Sequence, residues 1–153
     1  TIPAKKAAQR AIFRIQKEIE QLVEDEKRSA VALCDRGTLD GLAYWPGSED
    51  EFWQELGTTR ERELSRYHAV IHLRTPPLER GYNQSNPVRI ESAKEAAEID
   101  ARIVRAWEGH SRRFFVESSD SFLKKVECAI ELIRVELPEC CRSHRIKELD
   151  HHG

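Results

Sequence analysis

The run Ser29-Ala30-Val31-Ala32-Leu33-Cys34 constrains this chain more than any other stretch. It is short, almost uncharged, and gives way at once to Asp35-Arg36-Gly37. An apolar run without alternation predicts a strand buried on both faces, which is how parallel sheets bury their strands. Val31–Cys34 is therefore expected to be a central strand, with Asp35 standing at its carboxyl end. Ligands of open α/β sheets sit just beyond such ends.

The segments around it fit that plan. Upstream, Ala8, Ile12, Ile15, Ile19 and Leu22 recur at steps of three and four, which predicts one helix from Ala4 to Arg28 with an apolar stripe. Pro3 suits its first turn. A short helical stretch is expected over Leu39–Trp45, and Ser48 with Glu51 forms a capping box for a helix closed by Gly57. Thr58 to Arg66 reads as a charged helical linker. His68–Leu73 is a second strand, which Thr75-Pro76-Pro77 stops. Leu78 to Ile90 is a long polar loop, of the kind that is usually functional in a compact domain. Ser92 and Glu95 open a helix carrying Ala96, Ile99, Ile103 and Ala106 on one face, ended by Gly109. Arg113–Val116 is a third strand, and Asp120 is expected to cap a last helix with Phe122, Val126, Ala129, Ile133 and Leu137 inward, ended by Pro138. Strands alternating with helices predict an α/β fold with a doubly wound parallel sheet. Residues 1–138 are expected to form the domain and residues 139–153 a flexible tail.

Composition narrows the function. A chain of 153 residues with 39% hydrophobic residues can bury a core as one domain. Lys+Arg 25 against Asp+Glu 27 gives a net charge of −2, which argues against a general nucleic-acid binder. No apolar run is long enough to span a bilayer and no secretory signal opens the sequence. Four cysteines without such a signal read as reduced thiols of a cytoplasmic protein. Cys140-Cys141 beside His144, His151 and His152 has poor spacing for a tetrahedral metal. The chain has no methionine and begins Thr-Ile-Pro, so an excerpt from a longer protein is one expectation.

The chemistry is expected at three strand ends: Asp35-Arg36, Arg74-Thr75 and Glu117-Ser118. A carboxylate such as Asp35 can hold Mg²⁺ through water or take a proton from a hydroxyl. A guanidinium such as Arg36 can clamp phosphate or carboxylate; the alternative is a capping Asp35 and a surface-paired Arg36. Arg80 and Arg89 bracket the long loop, and Arg102 and Arg105 follow on the helix behind it. Such arginines can neutralise charge in phosphoryl transfer, Arg89 with help from a helix N-terminus. For Arg102 the competing reading is an i,i+4 pair with Glu98, and for Arg105 a solvated helix position is favoured. Tyr44, Trp45, Phe52 and Trp53 read as a small core, His72 as a hydrogen-bonded structural histidine, and Trp107 and His110 as helix-end packing.

One element of phosphoryl transfer is missing. A P-loop needs a glycine-rich turn ending in Lys-Ser/Thr, and no Gly-Lys dipeptide occurs in the sequence. Four blocks nonetheless form a pattern: Cys34-Asp35-Arg36-Gly37-Thr38-Leu39-Asp40, Arg66 to Leu73, Asn86-Pro87-Val88-Arg89-Ile90-Glu91-Ser92, and Trp107-Glu108-Gly109-His110. In this order they resemble the NadR-type AAA domain family, a P-loop ATPase/kinase-like group that includes the TRPL translocation defect proteins. The resemblance runs from about Gln9 to Pro138.

The resemblance implies a P-loop NTPase/kinase fold, here incomplete because its first strand and P-loop are absent. It implies ATP or GTP with Mg²⁺ in the complete protein, Asp35 and Arg36 as catalytic residues, and Asp35 as the metal's carboxylate. Asp40, Arg80, Arg89 and Arg102 become the expected substrate- and phosphate-binding residues. The expected function is phosphoryl transfer or NTP hydrolysis in the parent protein, with little activity in this chain alone. The alternatives are a nucleotide-regulated binding module for a protein or phosphoinositide partner, and a non-catalytic truncated remnant.

Overall fold

The computed structural model describes residues 1–74, 93–117 and 121–142. Helix α1 (Ile2–Glu26) opens on Thr1, whose hydroxyl accepts from the Ala4 amide at 3.4 Å, with proline in the first turn. It ends where Lys27 turns left-handed at φ 50. The helix is amphipathic as expected, but its apolar stripe faces outward. Ile12, Ile15, Ile19 and Leu22 are 53%, 61%, 58% and 58% exposed. The inward side is Phe13, buried against Phe52 at 6.4 Å between ring centroids, flanked by polar residues. Lys6 pairs with Glu51, Arg10 with Glu55 at 3.0 Å, and Glu20 with Arg66 at 2.6 Å. Each half-exposed aliphatic forgoes roughly 1 kcal/mol of burial. Charge pairs and one phenylalanine hold α1 in place.

Residues Val31–Cys34 correct the central-strand expectation. They belong to no ladder, and all four are exposed, Leu33 at 72%. A strand requires a neighbour that accepts from its N–H groups and donates to its C=O groups, and no described residue pairs with this run.

Short helices follow: α2 (Asp40–Tyr44), α3 (Glu49–Leu56) and α4 (Arg60–Leu64). Ser48 caps α3 by accepting from the Glu51 amide, and Gly57 closes it at φ 68. The Glu51 carboxylate reaches Lys6 instead of completing the capping box. The charged stretch read as a linker is α4, capped by Thr59, and it carries the wholly buried Glu63.

The sheet among the described residues has two strands, β1 (Val70–Leu73) and β2 (Arg113–Val116). They pair in parallel, Val70 opposite Arg113 and Leu73 opposite Val116. Between them in sequence lies α5 (Ala93–Ala106), so β1, α5 and β2 follow the strand–helix–strand order of a crossover. The expected parallel α/β arrangement is present on this small scale. Leu39, Ala106 and Trp107 form the buried centre, with Leu42, Trp53, Leu64, Tyr67, Val70 and Ile103 packed around it.

Helix α6 (Phe122–Glu136) is capped by Ser121, whose hydroxyl accepts from the Lys124 amide; Asp120 lies outside the described residues. Phe122 is 76% exposed, contrary to the inward position expected for it, and no residue of α6 is fully buried. Pro138 follows its C-terminus, and α7 (Glu139–Arg142) begins the segment expected to be a tail.

Candidate functional site

The candidate site is a turn, Asp35 to Asp40, held from behind so that its first two side chains face solvent. Asp40 N–H donates to the Gly37 carbonyl at 3.0 Å and closes it. From α1, the Gln16 amide donates to the Arg36 carbonyl. The Thr38 N–H donates to the Tyr67 hydroxyl at 2.7 Å, and that hydroxyl donates to Glu20 at 2.9 Å. The Thr38 hydroxyl donates to Glu63 at 3.0 Å. Glu63 also accepts from the Thr58 hydroxyl at 2.6 Å and faces Lys17 at 3.4 Å. A buried carboxylate is tolerated when its lone pairs are satisfied in this way. Burial pushes the Tyr67 phenol well above its ordinary value, and Glu20 pushes the same way.

Trp107 closes the other side. Its ring lies so near Gly37 that a Cβ there would stand 2.2 Å from Cζ2. Its Nε1–H donates to an Asp40 carboxylate oxygen at 2.6 Å, and the other oxygen faces the Arg36 guanidinium at 3.4 Å. The Tyr67 and Trp107 rings meet edge to face with centroids 5.1 Å apart. Glycine at 37 is thus required by the indole. The result is a braced turn whose Arg36 guanidinium is exposed and faces Asp40.

The Asp35 and Arg36 side chains are exposed, and they follow an exposed, unpaired run instead of the buried central strand expected before them. The acid that faces Arg36 is Asp40, not a distant surface residue. Asp40 therefore sits in the site as a holder, its oxygens taken by Trp107 and Arg36. Arg102 lies on α5, exposed, and Glu98 pairs with Lys94 at 4.0 Å instead of with it. Arg80 and Arg89 lie outside the described residues. A single free carboxylate, Asp35, fits the part of a residue that orients a water on Mg²⁺, since that ion commonly keeps several waters and takes few protein ligands. Among the described residues no group of three His, Cys, Asp or Glu side chains comes together as a metal cage.

At the carboxyl end of β1, His72 is buried and its Nε2 lies 3.1 Å from Asp100, which also faces Arg74 at 3.3 Å. That bears out the structural reading of His72. Lys125 donates to the Arg74 carbonyl at 2.6 Å, and its burial lowers the amine's pKa from the ordinary value. Trp45, Phe52 and Trp53 form edge-to-face pairs at 5.3 and 4.8 Å, the small aromatic core expected.

Sequence reasoning missed Glu63, Tyr67 and the Trp107–Asp40 bond. Trp107 and Tyr67 do stand inside the recognised blocks, which was the available signal.

The family model for an AAA domain matches residues 2–125, a span that contains the turn and everything that braces it. The chain belongs to this AAA domain family, a match that points to nucleotide-binding, P-loop ATPase-like function. No curated protein and no solved structure matches the chain. No described helix is long and apolar enough to cross a membrane.

Proposed function

We propose that the chain supplies the acid–arginine half of a phosphoryl-transfer site, and that the phosphate cradle comes from chain outside these 153 residues. The braced Asp35–Asp40 turn carries this reading. Asp35 is the one carboxylate of the turn left free; it would hold Mg²⁺ through water or accept the proton of an attacking hydroxyl. Arg36, steadied by Asp40, meets the oxyanion of the group that receives or releases phosphate. Arg80 and Arg89, outside the described residues, would add positive charge for the phosphates in this reading. Bound Mg²⁺ would neutralise phosphate charge.

The outward apolar stripe of α1 and the exposed Val31–Cys34 run support the second half of the proposal. Both surfaces have the composition of an interior and no cover among the described residues. A strand with its phosphate-binding loop, laid beside Val31–Cys34, would cover them and give that run a ladder partner. This chain alone therefore holds nucleotide weakly.

The test joins this chain to a segment bearing a strand and a Gly-rich Lys-Thr loop and measures ATP turnover. Asp35→Asn in that protein should lower kcat by at least about a hundredfold, the scale on which general acid–base groups act. Unchanged turnover removes Asp35 from the chemistry.

A further inference from the structure

A second polar site lies on the far end of the α2–α5 contact. A cleft of about 220 Å³ opens between α2, α5 and the α3–α4 pair. Its floor is apolar, made by Leu42, Ala43 and Ala106. Its rim carries Arg60, Arg102 and Arg105, with Glu49 as the opposing acid.

The charges of that rim do not balance. Glu49 is already engaged: one of its oxygens accepts from the Trp53 indole at 3.0 Å and from Arg60 Nε at 3.0 Å. Both Arg60 Nη atoms donate to the Arg105 carbonyl, the nearer at 3.0 Å, near the end of α5. Arg60 and Glu49 thus form a fixed, neutral wall. Arg102 and Arg105 face no carboxylate within ion-pair distance among the described residues; Glu98, one turn back, lies 4.0 Å from Lys94. Three residues apart, the two side chains are neighbours on the helix surface. Two guanidiniums without a carboxylate partner among the described residues, beside three apolar side chains, suit an anion with a small apolar body, because each fork can bind one oxygen pair and the apolar side chains receive the body.

We infer that this cleft binds a small phosphoryl-bearing compound, with Arg102 and Arg105 on the phosphoryl oxygens and the organic body on Leu42, Ala43 and Ala106. As the phosphate acceptor's site it rests on the phosphoryl-transfer reading; as an anion site it stands on the cleft alone. Arg102 then serves the acceptor's existing anionic group, and Arg105 acts with it as a ligand and not as a solvated helix position.

The probes are inorganic phosphate and phenyl phosphate, titrated into this chain without Mg²⁺ and followed by amide chemical shifts in NMR. Phenyl phosphate should bind several-fold more tightly than phosphate, with shifts centred on α5 and α2 and affinity that falls with added salt. Arg102→Ala/Arg105→Ala should lower both affinities at least about tenfold, a loss of about 1.4 kcal/mol. Arg102→Lys/Arg105→Lys keeps the charge and the helix; it should lose most of the affinity because the fork is gone. Arg14→Ala, on α1, should bind as the parent does. Equal affinity in the double alanine variant, with its NMR dispersion intact, overturns the inference, as does equal binding of phenol and phenyl phosphate. A silent cleft beside an Asp35-dependent completed enzyme would refute the acceptor site alone; a binding cleft beside an Asp35-independent one would refute the catalytic reading alone.

Discussion

Replacing Gly37 by alanine should destabilise the chain through a single contact. The added Cβ would stand 2.2 Å from Cζ2 and 2.4 Å from Cη2 of Trp107, with Tyr67 Cζ at 3.4 Å. Carbon atoms in contact rest about 3.5–4 Å apart, so the indole must move by more than 1 Å. It has little room to do so: Trp107 is 3% exposed, packs with Leu39 and Ala106, and is tied to Asp40 at 2.6 Å. Overpacking of this kind costs about 1–3 kcal/mol. If the indole swings off Asp40, a hydrogen bond to a charged group worth about 1.5–3 kcal/mol goes with it. The expected loss is about 1–3 kcal/mol if the bond to Asp40 survives and about 2.5–6 kcal/mol if it is lost, read from urea unfolding followed by tryptophan fluorescence. Trp107→Phe removes the two clashing ring atoms, so Gly37→Ala should cost at least about 1 kcal/mol less in that background. Gly41→Ala is the control, since its nearest contacts, Gln9 and Phe52, lie at an ordinary 3.4 Å. Additivity of Gly37→Ala and Trp107→Phe within about 0.5 kcal/mol would refute the clamp.

Other consequences follow from the same packing. Ile15→Lys on the outward stripe of α1 should change stability by no more than about 0.5 kcal/mol, whereas Phe13→Ala should cost about 3–5 kcal/mol. Thermal melts of the two variants check the orientation of the helix. Glu63→Ala removes the acceptor for Thr38 and Thr58 and the partner of Lys17, and should cost about 3–5 kcal/mol; Thr38→Val should cost much less in that background than in the parent. Tyr67 gives the chain a pH dependence. Its folded pKa is raised, so its share of stability is complete below about pH 10, the unfolded value, and shrinks as pH rises beyond it. The urea midpoint of the parent should therefore fall more steeply than that of Tyr67→Phe between about pH 9 and about pH 11. Parallel curves would remove the buried phenol from the brace.

What could be read from the sequence was what short-range pattern determines. The strands β1 and β2 are runs of β-branched and aromatic residues flanked by charge, and the inward face of α5 repeats at helical spacing; both emerged where expected. Val31–Cys34 failed because strand identity is a property of a pair: the run has the composition, but no described neighbour supplies the ladder. The stripe on α1 shows which residues share a face, and nothing in its spacing says whether that face is covered. Glu63 and Glu61 look alike in Arg60-Glu61-Arg62-Glu63, yet one is buried and the other exposed, because Lys17, Thr38 and Arg66 converge on only one of them. Asp35-Arg36-Gly37 was legible as a block. Why its glycine must be a glycine was not, since the reason is an indole on the far side of β1 in sequence.

Binding of Mg·ATP tests the central claim most directly, by calorimetry on this chain and on the same chain joined to a strand and Gly-rich Lys-Thr loop. The account predicts a Kd weaker than about 1 mM for the first and at least about a hundredfold tighter binding for the second, dependent on Mg²⁺. Equal affinity of the two proteins for Mg·ATP would contradict it.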